Sequence, residues 1–148
     1  DSVRVLLAES GFPGMKVLEF AFDSREPSNY LPHRYIRNCI CYSGTHDNET
    51  LAQWLAQTSE TARAYAAEYL GLTEQEGYAW GILRSGLASV ADTFIAQLQD
   101  YLGLGAEARM NTPGTLSDRN WSWRLQPGLL TAELAHRLRR MNTMYERL

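Results

Sequence analysis

The sequence is short of the features that mark several large classes of protein. Its 148 residues hold 14 Lys and Arg against 17 Asp and Glu, so there is no excess of basic charge to gather nucleic-acid phosphates. No apolar run approaches the ~20 residues of a membrane span, and the chain does not start with a secretory signal. A glycine-rich phosphate loop and a Gly-x-Ser-x-Gly elbow are also missing. These absences predict one cytoplasmic domain that binds neither nucleic acid nor membrane.

Cysteine is scarce as well. Cys39 and Cys41 are the two cysteines, and a single residue separates them on an apolar run. On a strand this spacing puts both side chains on one face, and it does not match the usual zinc or redox patterns. We therefore expect free, buried thiols with a packing role, and we expect neither a metal nor a cofactor.

Strand and helix patterns alternate along the chain, which is typical of α/β proteins with parallel strands. Gly11 and Gly71 are predicted to end helices, Asn48 to cap one, and Thr73–Glu76 to form a capping box. Periodicity leaves residues 93–98 open between helix and strand, and strand is favoured. The predicted order is a helix tail over 3–9, strands over 16–22 and 39–43, helices after 48, over 61–70 and over 74–90, a strand over 93–98, a loop over 102–124 and a helix from 131.

The sharpest polar cluster is Gly44-Thr45-His46-Asp47-Asn48, directly after an apolar strand and before a helix. Ligands bind at the carboxyl ends of parallel strands, where loops vary without disturbing the core. Asp47 is therefore a functional candidate, and simple helix capping is the alternative. A metal site is disfavoured, because we expect the neighbouring side chains of His46 and Asp47 to point apart and no further ligands are evident.

A second cluster combines residues 109–115 with the segment Asn120-Trp121-Ser122-Trp123-Arg124. Amides, guanidinium groups and indoles suit the binding of sugar hydroxyls and sugar faces, and a structural loop is the alternative. Met141, Met144 and Tyr145 on the last helix are interpreted as core.

Five segments together resemble the amylomaltase family, glycoside hydrolase family 77. The resemblance spans nearly the whole chain and follows the family's order of motifs. The segments are Gly11–Phe22, Asn29–His33, Gly44–Asn48, Leu98–Gly105, and Ala108–Thr115 together with Asn120–Arg124.

This resemblance implies a (β/α)8 barrel, of which 148 residues can hold only the C-terminal part. Residues 16–22, 39–44 and 93–99 would be its last three strands and 131–147 its closing helix, so residues 1–148 are expected to form a single partial domain. The chain starts without Met, and we expect it to belong to a longer one. An excised piece of barrel would expose strand edges and is expected to self-associate.

The family transfers α-1,4-glucan segments between maltooligosaccharides with retention of configuration. Retention requires two carboxyl groups, which the resemblance places upstream of this chain, so the isolated chain is expected to be inactive. The third family carboxylate maps onto Asp47 as a transition-state stabiliser. Glu49 stands where the family motif often has Asp. The implied substrate-binding residues are His46, Asn48, Arg109, Asn111 and Pro113.

Two other functions stay open. The chain could be a glucan-binding module without catalytic activity, relying on Trp121 and Trp123. Another enzyme of the α-amylase clan also places His-Asp after its seventh strand, although the blocks at 11–22 and 109–115 argue against this alternative.

Overall fold

The computed structural model describes residues 2–22 and 28–148, and of Arg4 only the backbone. Most of the predicted loop at 23–29 therefore lies outside the described residues. Within them the structure is a mixed α/β fold around a parallel sheet.

The described sheet has three strands, β1 (Gly14–Val17), β2 (Cys39–Tyr42) and β3 (Thr93–Ile95), in the order β1-β2-β3. Both pairings are parallel. The predicted parallel arrangement is confirmed, and β2 has a hydrogen-bonded neighbour on each side. Each segment that leaves the carboxyl end of a strand therefore starts from the same edge of the sheet.

Two predicted strands are too long. β1 ends at Val17, and a 3-10 helix (Leu18–Phe20) followed by a turn takes the place of the predicted strand up to Phe22. The cause is the length of the partner, because Val17 pairs with Tyr42, the last residue of β2. Similarly, β3 ends at Ile95, its last pairing position, although a strand was predicted to 98.

Helices and loops make up the rest of the described structure. The first helix ends before Gly11 and the third before Gly71, each with positive φ (70° and 62°), as predicted. The long loop predicted after Leu102 is confirmed apart from one 3-10 turn (Ala106–Ala108). The α-helices are α1 (Ser2–Ser10), α2 (Leu51–Gln57), α3 (Glu60–Leu70), α4 (Tyr78–Leu87), α5 (Leu98–Tyr101) and α6 (Ala132–Met144), and a further 3-10 turn covers Pro32–Arg34.

Two predicted helix starts are wrong. The N-cap of α2 is Thr50, whose side chain accepts from the backbone N–H of Gln53, whereas Asn48 is engaged elsewhere. The Thr73 hydroxyl does accept from the N–H of Glu76, as a capping box requires, yet α4 begins only at Tyr78. The carboxylate of Glu76 binds Arg84 at 2.9 Å, so the reciprocal half of the capping box does not form.

The core lies between the sheet and helices α2 to α4. Cys39 and Cys41 are both free and buried, which confirms their packing role. The final helix contributes less than predicted, because none of its residues is fully buried and Met144 is 59% exposed. The largest buried apolar side chains are Phe22, Leu18, Leu51, Ile82, Leu83 and Val17.

Among the described residues, no helix is both long and apolar enough to cross a membrane.

Candidate active site

The predicted polar cluster forms a tight turn after the central strand. The backbone N–H and the hydroxyl of Thr45 both donate to Asn48 Oδ1, at 2.9 and 2.7 Å. The N–H of Asp47 donates in turn to Thr45 Oγ1 at 3.3 Å. Asn48 therefore shapes the turn that presents Asp47 beyond the carboxyl end of β2.

The carboxylate of Asp47 collects two side chains. Asn111 Nδ2 donates to Asp47 Oδ1 at 2.6 Å, and His46 Nε2 lies 3.4 Å from the same oxygen. The expectation that His46 and Asp47 point apart is wrong, because the turn at Thr45 bends the chain out of strand geometry. The side chain of Asp47 is 46% exposed, so one face of the carboxylate is open to a ligand.

Arg109 joins the Asp47 turn to the long loop. Its Nε donates to the carbonyl of Asn111 at 2.8 Å and its Nη2 to the carbonyl of Asp47 at 2.8 Å. Its Nη1 pairs with Glu49 Oε1 at 3.2 Å, and this side chain of Arg109 is only 17% exposed. Each guanidinium nitrogen thus binds protein, and binding of glucan by Arg109 stays a prediction.

The long loop is fixed at several points. The N–H of Asn111 donates to the carbonyl of His46 at 3.1 Å, and Asn120 Oδ1 accepts from the N–H of Thr112 at 3.1 Å. The N–H of Trp121 donates to the carbonyl of Met110 at 2.7 Å. These bonds bring Asn111 and Trp121 to the Asp47 turn.

The predicted site residues fall into three groups. His46, Asp47, Asn111 and Arg109 form one connected cluster. Asn48 folds back on its own turn. Pro113 is exposed in the turn closed by the N–H of Thr115 on the carbonyl of Thr112, beyond this hydrogen-bonded group.

Asp100 is a buried carboxylate that the sequence did not single out, and it supports the turn that carries Asp47. Asp100 Oδ2 accepts from the hydroxyl of Ser43 at 2.6 Å and Oδ1 from the N–H of Leu51 at 2.7 Å. Asp100 is 1% exposed. It thereby fixes both ends of the segment that carries Asp47. Burial raises the pKa of Asp100 to about 6, although these two hydrogen bonds oppose the shift.

Glu19 is a second buried carboxyl group that sequence reasoning missed. Its backbone N–H donates to the carbonyl of Ser43, and an added Cβ on Gly44 would lie 2.8 Å from Glu19 Oε2. Neither carboxyl oxygen has a hydrogen-bond partner among the described residues. Burial raises the pKa of Glu19 to about 9, the negative charges of Asp100 and Glu49 add to this rise, and Arg109 opposes it.

The arrangement offers hydrogen-bonding groups rather than a metal cage. Among residues 2–22 and 28–148, no group of three or more His, Cys, Asp or Glu side chains is arranged to hold a metal ion. A half-exposed carboxylate with an imidazole and an amide at its side is suited to hold the hydroxyl groups of a polar ligand.

These side chains lie beyond the carboxyl end of the central strand of a parallel sheet, which is the edge where α/β proteins of this kind bind their ligands. The family model described as 4-alpha-glucanotransferase, Glyco_hydro_77, matches residues 1–131. The chain therefore belongs to the 4-alpha-glucanotransferase family.

Individual relatives agree with this assignment. The chain is 48% identical over 139 residues to a 4-alpha-glucanotransferase of Clostridium butyricum, covering 93% of this chain and 28% of the relative. It is 44% identical over 153 residues to that of Thermus thermophilus, covering 99% and 30%. The chain thus spans about 30% of the length of these curated relatives.

Solved structures show the same similarity. The amylomaltase from Streptococcus agalactiae in complex with acarbose superposes with a TM-score of 0.93 at 38% identity, covering 99% of this chain and 30% of that one. The amylomaltase from Corynebacterium glutamicum, at 21% identity and a TM-score of 0.64, shares the fold.

Proposed function

We propose that the protein containing this chain transfers α-1,4-glucan segments between maltooligosaccharides by a retaining mechanism. Family membership supports the reaction, and a glucan ligand agrees with the acarbose complex of the Streptococcus agalactiae relative. The observation that carries the proposal is the contact of 2.6 Å between Asn111 and Asp47, with His46 beside the same oxygen. It joins two predicted site segments around one accessible carboxylate.

Asp47 is proposed to stabilise the transition state. Its open oxygen would accept hydrogen bonds from hydroxyl groups of the sugar at the cleavage point. Such bonds accelerate the reaction only if they strengthen as the ring flattens toward an oxocarbenium-like state. Attack and proton transfer need two further carboxyl groups about 5 Å apart, and we propose that these lie upstream of this chain.

The other site residues are proposed to bind glucan around Asp47. His46 and Asn111 touch its carboxylate and can share a hydroxyl with it, and Pro113 would border the glucan from the exposed turn. Arg109 and Asn48 make contacts that support a positioning role besides any contact with sugar.

We also propose that residues 1–148 are one partial domain, the C-terminal part of a (β/α)8 barrel. The three parallel strands support this proposal, and the coverage of about 30% agrees with it. The isolated chain would then be inactive.

The isolated chain is also proposed to self-associate. Because β1 has no described strand on its outer side, the chain would pair with a second copy there. Light scattering that finds a monomer at high concentration would contradict this. Free Cys39 and Cys41 agree with a cytoplasmic location.

The test compares Asp47→Asn with wild type in the full-length protein, with maltotriose as substrate and longer products as readout. Removing a group that stabilises developing charge lowers kcat about 100-fold to 1000-fold. Asp118→Asn, an exposed position in the same long loop, is the matched control and should keep full activity. The proposal is contradicted if the wild-type protein makes no product longer than maltotriose, or if the Asp47→Asn variant has a normal kcat.

A glucan-binding module is the second candidate, and the exposed indole of Trp121 favours it. Titration of maltooligosaccharides against tryptophan fluorescence would detect binding. This candidate would be supported over the transferase if the full-length protein binds maltooligosaccharides but makes no product longer than maltotriose.

A further inference from the structure

Trp121 presents an aromatic ring to solvent directly beside the candidate active site. The residue is 56% exposed, although indoles usually find burial. Its ring centroid lies 5.0 Å from that of His46, at an interplanar angle of 42°. Because His46 Nε2 is 3.4 Å from Asp47 Oδ1, the indole, the imidazole and the carboxylate lie in series along the surface.

The backbone at Trp121 is held in an unfavourable conformation. Its φ is 62°, in the left-handed region, which is unfavourable for a bulky residue. Two hydrogen bonds fix it there, from its N–H to the carbonyl of Met110 at 2.7 Å and from Arg124 Nη1 to its own carbonyl at 3.0 Å. An exposed indole recovers little of this cost by burial. Strain that the surrounding bonds maintain is typical of ligand-binding sites.

We propose that Trp121 forms a stacking platform for one glucosyl residue of an α-1,4-glucan, next to the residue that Asp47 and His46 hold. A pyranose ring has an apolar face of C–H groups and an edge of hydroxyl groups. The indole matches the apolar face of the stacked residue, whereas Asp47 and Asn111 match hydroxyl groups of its neighbour in the chain. This inference rests on the proposed function and deepens it, because the platform sets how strongly a longer substrate is preferred over a short one.

The experiment replaces the indole while sparing the backbone. In the full-length protein, Trp121→Asn removes the ring and tolerates the left-handed conformation, whereas Trp121→Phe keeps a smaller ring. With maltoheptaose as substrate we expect KM to rise about tenfold in Trp121→Asn, because the stacking contact is lost. In Trp121→Phe we expect a rise of about threefold, because a smaller ring keeps part of the contact. Leu116→Asn, at a fully exposed position of the same loop, is the control and should leave KM unchanged.

The outcomes separate the platform from the transferase. Transfer by wild type with an unchanged KM in Trp121→Asn overturns the platform alone. If wild type does not transfer glucan, the proposed function fails, and calorimetric titration of maltoheptaose into wild type and Trp121→Asn decides the platform by itself. If Trp121→Asn does not fold, Trp121→Phe decides, and a wild-type KM in that variant overturns the proposal.

Discussion

Two carboxyl groups lie just past neighbouring parallel strands, and their surroundings could hardly differ more. Asp47 follows β2, is half exposed and has Asn111 and His46 at its carboxylate. Glu19 follows β1, is 6% exposed and has no hydrogen-bond partner among the described residues. The same position relative to the sheet thus yields an accessible hydrogen-bond acceptor after β2 and a buried acid with a raised pKa after β1. Burial rather than position along the strand decides which group can meet a ligand.

The largest expected effect tests the neutral state of Glu19. Its pKa rises from 4.5 to about 9 on folding, so between these values the unfolded chain loses a proton that the folded protein keeps. Stability therefore falls as pH rises through this window, by up to about 1.4 kcal/mol per pH unit. Glu19→Gln removes the titrating group and should unfold at a higher temperature than wild type at alkaline pH, with little difference near the lower end of the window.

Thermal unfolding of the full-length protein across the window provides the measurement. Glu68→Gln, at an exposed position of α3, is the matched control and should follow the wild-type pH profile. Parallel profiles of wild type and Glu19→Gln would mean that Glu19 is charged in the folded protein, and the contrast with Asp47 would be lost.

The next effect concerns Asp100, the buried carboxylate that does have partners. Asp100→Asn keeps the shape but replaces an acceptor oxygen with an amide donor, facing either the hydroxyl of Ser43 or the N–H of Leu51. Loss of a charge-assisted bond predicts destabilisation by about 1.5–3 kcal/mol. Denaturant unfolding measures it, with Asp92→Asn, an exposed carboxylate paired with Arg37, as the control expected within about 1 kcal/mol of wild type. Equal stability of Asp100→Asn and wild type would show that the segment carrying Asp47 does not depend on this anchor.

The sequence predicts the accessible carboxylate, Asp47, but not the buried carboxyl groups Glu19 and Asp100. An apolar strand followed by Thr-His-Asp-Asn marks Asp47, because a polar run between a strand and a helix is a local pattern. Nothing local distinguishes Glu19, which sits in an apolar run that reads as continuous strand, or Asp100, which lies on the short α5. Their roles depend on contacts with Ser43 and Gly44, residues far away in the sequence.

The predicted strand lengths and helix starts were wrong for a similar reason. The apolar run up to Phe22 predicts strand, yet pairing ends where β2 ends at Tyr42. Asn48 is a suitable N-cap by residue type, but its side chain accepts hydrogen bonds from Thr45 instead, and Thr50 caps α2. Residue types set the candidates, and tertiary partners choose among them.

The smallest expected effect is on the accessible side, at Arg109. Its contacts with the carbonyls of Asp47 and Asn111 hold two loops together, so Arg109→Lys, which cannot reproduce a planar fork, should lower kcat about tenfold. A role through Asp47 predicts non-additivity, because Arg109→Lys should cost much less when Asp47→Asn is already present. Kinetics of the single and double variants of the full-length protein measure this, and Arg119→Lys, exposed in the same loop, is the control. Additive losses, or a rise in KM at constant kcat, would instead favour direct contact of Arg109 with glucan.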